Sequence, residues 1–200
     1  MPGQVDDDAA VRLRAAVRAL RTPQAANRAP APVSSIFGRA AAAVPADTHE
    51  PVDRAVLGAR MRTVETSALL PGTTLALLVV PSARAAEELA SSCRQLVAGG
   101  AVVVLLGPDL PRAVADRSRP LTVPLREDDS LAQEWGLIAC GPVRRVAFLA
   151  RREPGPGDLW RWLTTRDSIA VQRSATAILE RVPFLRLRIP PLSHGQPYGA

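Results

Sequence analysis

The residues of this chain that could do chemistry are few. Asp109, Asp116, Asp128, Asp129, Asp158 and Asp167 supply carboxylates, but nothing in their spacing sets a pair at the separation that acid–base work needs. The two histidines, His49 and His194, fall in a loop and in the tail, so Ser-His-Asp chemistry has no base. The two histidines and two cysteines have no metal-ligand spacing, and no zinc site is expected. All basic residues are arginine, so there is no Schiff-base lysine and no P-loop lysine. No G-x-G-x-x-G is present, which disfavours a dinucleotide cofactor. An enzyme is therefore the weakest class, and no cofactor or metal is expected.

Binding is better supplied. Gly107-Pro-Asp109 follows an apolar run, and in open α/β sheets ligands favour the carboxyl ends of parallel strands. Pro81-Ser82 and Cys140-Gly-Pro142 are expected on related edges, which would make a small crevice. Trp135, Trp160 and Trp162 are three of few large aromatics, and Trp160 and Trp162 share a strand face at i, i+2. They line either a pocket or the core. Arg144, Arg145, Arg151 and Arg152 bracket a strand, as a solvated rim or an anion site.

The elements that must position these residues centre on Thr73 to Leu106. Two apolar runs, near 73–80 and 101–106, flank a helical pattern with Leu89, Cys93, Leu96 and Val97 on one side. This spacing predicts a βαβ unit with parallel strands, and the lack of alternation predicts cover on both sheet faces. Before it, Pro51 to Leu70 reads as a helix, stopped by Pro71-Gly72, and Pro45 to Pro51 as a loop holding an exposed His49. After it, Leu121–Leu125 reads as a proline-bearing edge strand and Glu127-Asp-Asp-Ser130 as a cap for a short helical turn. Trp135–Cys140 and Val146–Ala150 read as a hairpin. Leu159–Leu163 reads as a strand, and a helix follows that Thr165 and Asp167 start. Phe184–Ile189 has strand period. The fold class is thus α/β: a mixed sheet on a central βαβ unit, a partly antiparallel carboxyl-terminal half, and helices packed on the sheet.

Outside this core, residues 1–35 read as a helix from Asp6-Asp-Asp8 to about Arg21 and a proline-rich linker. Residues 36–190 read as one α/β domain and 191–200 as a loose tail. The amino-terminal helix carries Ala10, Leu13, Val17 and Leu20 on one face. That stripe packs on its own domain or on the same helix of a second copy, as a homodimer. The net charge of +6 fits either a GC-rich genome or a surface for nucleic acid. Cys93 and Cys140 sit among apolar residues, as reduced buried thiols do. With no secretory signal and no run of about 18 apolar residues, the expected place is the cytoplasm, without a membrane contact.

The segment Ser130-Leu-Ala-Gln-Glu-Trp-Gly-Leu-Ile-Ala-Cys-Gly-Pro142, followed by Val146-Ala-Phe-Leu-Ala-Arg151, resembles the DICT sensory domains of bacterial signalling proteins. The stretch from Trp160 to Leu179 is similar to that family's closing strand, Thr-x-Asp turn and helix, and Asp53 to Glu65 to its opening helix. Coverage runs from about Pro51 to Val182. The resemblance implies an α/β fold and a sensory role beside diguanylate cyclases, two-component proteins or MerR-type regulators, with no catalytic residues.

The expected function is a non-enzymatic sensory or regulatory domain in bacterial signal transduction or transcriptional control. It would bind an unidentified small ligand or a partner signalling protein through Asp109, Trp135, Gly141, Trp160 and Asp167. The alternative is an Arg-dependent nucleic-acid-binding regulator, which lacks a recognisable helix-turn-helix or stacking groove.

Overall fold

Leu75-Ala-Leu-Leu-Val79 contains no polar position, and every residue of it is buried. A strand can bury both faces only when something covers each one. In the computed structural model, which describes Ala15, residues 35–111 and residues 119–182, helices do so on both sides. The strands are β1 (Thr48–Asp53), β2 (Leu75–Val79), β3 (Val102–Gly107), β4 (Leu121–Pro124), β5 (Glu134–Cys140), β6 (Arg145–Arg152) and β7 (Leu159–Thr165). The helices are α1 (Ile36–Ala43), α2 (Arg54–Ala68), α3 (Ala83–Glu88), α4 (Ala90–Ala98) and α5 (Ser168–Leu179).

The strands form one mixed sheet in the order β1-β7-β6-β5-β2-β3-β4. Pairs β2–β3 and β3–β4 are parallel, and β2–β5, β5–β6, β6–β7 and β1–β7 are antiparallel. The βαβ unit and the antiparallel half thus meet at β2–β5, as the apolar runs and the short hairpin connection imply. β4 is an edge strand, and the exposed Pro124 ends it, where a missing N–H costs no ladder bond.

Strand alternation sorts the interior into two clusters. Leu75, Leu77, Val79, Ile138, Leu149 and Leu163 face α1 and α5, whose Ile36, Phe37, Ala40, Val171, Ala175 and Ile178 close that side. Ala76, Leu78, Leu137, Phe148, Trp135 and Trp160 face α2, α3 and α4, whose Leu57, Met61, Val64, Ala85, Cys93 and Leu96 close the other. Asp167 caps α5, its Oδ1 accepting the Ile169 and Ala170 amide hydrogens at 3.0 and 2.8 Å. The end of α5 is pinned by Arg181, whose guanidinium lies 2.8 Å from Asp129. Asp129 also caps the 3-10 turn Ser130–Gln133 that leads into β5.

Three expectations are corrected. Thr48–Asp53 is a strand rather than a loop, so His49 lies in the sheet. Its sequence, with Pro51 and few apolar residues, has no strand period, and pairing with β7 imposes the conformation. The helix after it starts at Arg54 rather than Pro51, because Asp53 takes the cap and accepts the Val56 amide hydrogen at 2.9 Å. Its buried stripe is Leu57, Met61, Val64 and Ala68, whereas Val56 is exposed. The crossover between β2 and β3 is two helices, broken at Leu89, rather than one. The amino-terminal helix and linker, the Phe184–Ile189 strand and the tail lie outside the described residues.

Candidate functional site

The turns at Pro81-Ser82, Gly107-Asp109 and Gly141-Pro142 do not form one crevice. The first two share the carboxyl end of the parallel pair, where Val80 N–H donates to the Leu106 carbonyl at 2.9 Å. β5 runs antiparallel to β2, so Gly141 sits at the opposite end, beside Gly72. A Cβ at Gly141 would run into the Gly72 carbonyl oxygen, so this glycine serves close backbone approach. Asp167 is at that same end and is occupied as a helix cap. Asp109 is exposed and turns the chain with φ 58°, a conformation that Asp tolerates better than most residues. Of the five expected site residues, only Trp135 and Trp160 come together, edge to face with centroids 6.1 Å apart.

That pair belongs to a wider aromatic face. Trp135 opposes Ala150, Ala150 opposes Trp162, and Trp162 opposes His49 in one row across β5, β6, β7 and β1. The small Ala150 leaves room for Trp160 to lean against Trp135 and for Phe148 to stack near Trp162, at 5.9 Å. His49 lies 4.1 Å from Trp162, tilted by 34°. Arg54 and Arg60 of α2 reach the rings of Trp135 and Trp162, at 5.6 and 5.8 Å from their centroids. Arg60 is nonetheless exposed, as helical periodicity predicts, and Arg54 is half-buried. The indole N–H of Trp160 donates to Asp158 at 2.9 Å. Those of Trp135 and Trp162 are buried and have no acceptor among the described residues.

Glu134, beside Trp135, faces the other side of the sheet. Its side chain is 0% exposed, and its Oε2 accepts the amide hydrogens of Ile36 and Phe37 at 3.0 and 3.2 Å. These are the first two residues of α1, whose positive end favours a carboxylate. The Ser35 hydroxyl also bonds the carboxylate, while Ser35 Oγ accepts the Gly38 amide hydrogen at 2.8 Å. Two residues on, a Cβ at Gly136 would lie 3.1 Å from Leu149 Cδ2 and 3.4 Å from Ile36 Cδ1, so the glycine makes room chiefly for Leu149. Glu134 Oε1 has no partner among the described residues. Burial pushes this carboxyl up to about 7, against the lowering effects of the Ser35, Phe37 and Ile36 hydrogen bonds and the charge of Arg151. Arg151 opposes Glu134 in register and lies 5.4 Å from the Phe37 ring centroid.

Glu134 was no candidate from the residues alone. The one available signal was a charged residue directly before an apolar run and a tryptophan. Cys93 and Cys140 are free and buried, and burial raises both thiols to about 11, so they are poor nucleophiles at neutral pH. Among the described residues no three His, Cys, Asp or Glu side chains group to hold a metal, and no helix is long and apolar enough to cross a membrane.

No family model, curated protein or solved structure matches the chain. The DICT resemblance accordingly rests on the motifs quoted above.

Proposed function

We propose that this chain is a non-enzymatic sensory or regulatory domain that binds a small ligand or partner protein on its tryptophan face and reports it through α1. The observation that carries this reading is the placement of Glu134 and Trp135. They are neighbours in β5 with opposite faces. Trp135 lies under Arg54 of α2, and Glu134 holds the first turn of α1. A shift of β5 on one face therefore changes hydrogen bonds on the other. The residues before Ser35 lead directly into α1, so release or tightening of this helix acts on the amino-terminal segment.

The test combines two measurements on the full chain. Native mass spectrometry of protein purified from its own host reads a bound small molecule or protein. Hydrogen exchange then compares the Ile36 and Phe37 amides before and after that partner is stripped. A copurifying partner whose removal changes exchange at those amides supports the reading. A partner whose removal leaves them unchanged, or no partner at all, overturns it.

A further inference from the structure

The polar groups gathered on Trp162 are donors and cations. Its Nε1–H is buried with no acceptor among the described residues. Arg60 lies over the ring and His49 packs against it. Asp53, which ends β1, and Asp158, which precedes β7, are engaged elsewhere. Asp53 accepts the Val56 amide hydrogen, and Asp158 takes the Trp160 indole hydrogen and pairs with Arg152 at 3.2 Å. A guanidinium stacked on an aromatic face keeps its fork of N–H donors free for an oxyanion, because stacking uses the π face and not the N–H edge. A buried N–H left without an acceptor carries its full desolvation penalty, and an anionic oxygen removes it.

We infer that Trp162 Nε1, Arg60 and His49 form a binding site for a small anion, the carboxylate or phosphate group of a metabolite. The inference rests on the sensory reading and names the ligand chemistry. Access favours Trp162 over Trp135. Trp135 is sealed at 4% exposure, whereas Trp162 is half-buried and its neighbours His49 and Arg60 are exposed beside the edge strand β1. An anion reaches the exposed His49 and Arg60 from solvent without opening the core. The bound oxygen accepts from the indole, and the guanidinium and imidazole supply further donors. The effect reaches Trp135 along the row through Ala150, and from there the α1 contact at Glu134.

The test is isothermal titration of the full chain with sodium phosphate and, separately, sodium acetate at constant ionic strength, with acetamide as the neutral control. Saturable binding of at least one anion and none of acetamide is expected, and the two arms separate phosphate from carboxylate recognition. Trp162→Phe keeps a ring and removes the N–H; Arg60→Gln removes the cation from an exposed position and so leaves the fold in place. Each weakens binding by about tenfold or more, while Arg84→Gln, exposed on α3 away from this face, changes it by less than about twofold. Absence of saturable binding by either anion overturns the site, as does undiminished binding by Arg60→Gln. Hydrogen exchange at Ile36 and Phe37 separates the two levels. Binding of the expected specificity without a change there supports the site and removes the sensory reading. Failure of both anions, with a host-derived ligand still changing that exchange, removes the site and keeps the reading.

Discussion

Glu134 accepts the amide hydrogen of Ile36 at 3.0 Å across 98 positions of chain. This bond joins the start of a central strand to the start of the helix that leads from the amino-terminal segment. It does so with a fully buried carboxyl group, so the contact titrates.

The sign follows from the raised value. Burial lifts the folded-state carboxyl from the ordinary 4.5 to about 7, so the folded chain holds this proton more tightly than the unfolded chain. The stabilisation is fully present below about pH 4.5 and is lost as pH rises through about 7. The difference is on the order of 3 kcal/mol. Urea denaturation of Glu134→Gln, compared with the parent between pH 5 and 8, checks this. The variant is expected to keep the acceptor and lose this component of the pH dependence. An equal slope in both proteins rules the account out.

Glu134→Ala removes the acceptor itself. Two buried amide hydrogens at the start of α1 lose their partner, at a cost of about 1–3 kcal/mol each. The loss is expected at every pH, together with faster hydrogen exchange at Ile36 and Phe37. Unchanged exchange there would separate Glu134 from the docking of α1.

Trp135 and Trp160 are both buried; Trp160 spends its indole hydrogen on Asp158, whereas that of Trp135 has no acceptor among the described residues. Trp160→Phe is therefore expected to lose the hydrogen bond, about 1 kcal/mol, beyond the loss of ring volume. Trp135→Phe loses no hydrogen bond to a described residue. Thermal denaturation should rank Trp160→Phe as the less stable variant, and the reverse order contradicts the hydrogen-bond assignment.

Gly141→Ala forces a methyl group onto the Gly72 carbonyl oxygen, where backbone meets backbone and no side chain can yield. A loss of roughly 3 kcal/mol or more is expected. By comparison, Asp167→Ala removes the cap of α5 and costs about 1 kcal/mol. Denaturant midpoints measured side by side test the order.

Much of the fold was legible before the structure. Leu75–Val79 and Trp135–Cys140 are apolar without alternation, and only a doubly covered strand accepts that pattern. Asp53 and Asp167 precede helices as capping residues do, although a helix expected from Pro51 places Asp53 inside it. β1 was not legible, because Thr-His-Glu-Pro-Val-Asp has no strand pattern and becomes a strand only through β7. The geometry of the candidate site is legible in part: Trp135 and Trp160, both expected in it, meet, while Asp109, Gly141 and Asp167 lie apart at a turn, a close backbone approach and a helix cap.

The sequence by itself determined the class of the fold, the βαβ unit, the hairpin and the aromatic strand residues. These follow from local periodicity, turn residues and caps, which act over a few positions. Only the tertiary structure decided that Arg54 and Arg60 lie over tryptophan rings and that Glu134 meets Ile36. It alone set Gly141 at the opposite end of the sheet from Asp109. The reason is physical: a side chain's chemical state depends on partners and burial brought from distant segments. Strand order and direction in a mixed sheet choose those partners, and no local pattern encodes that choice.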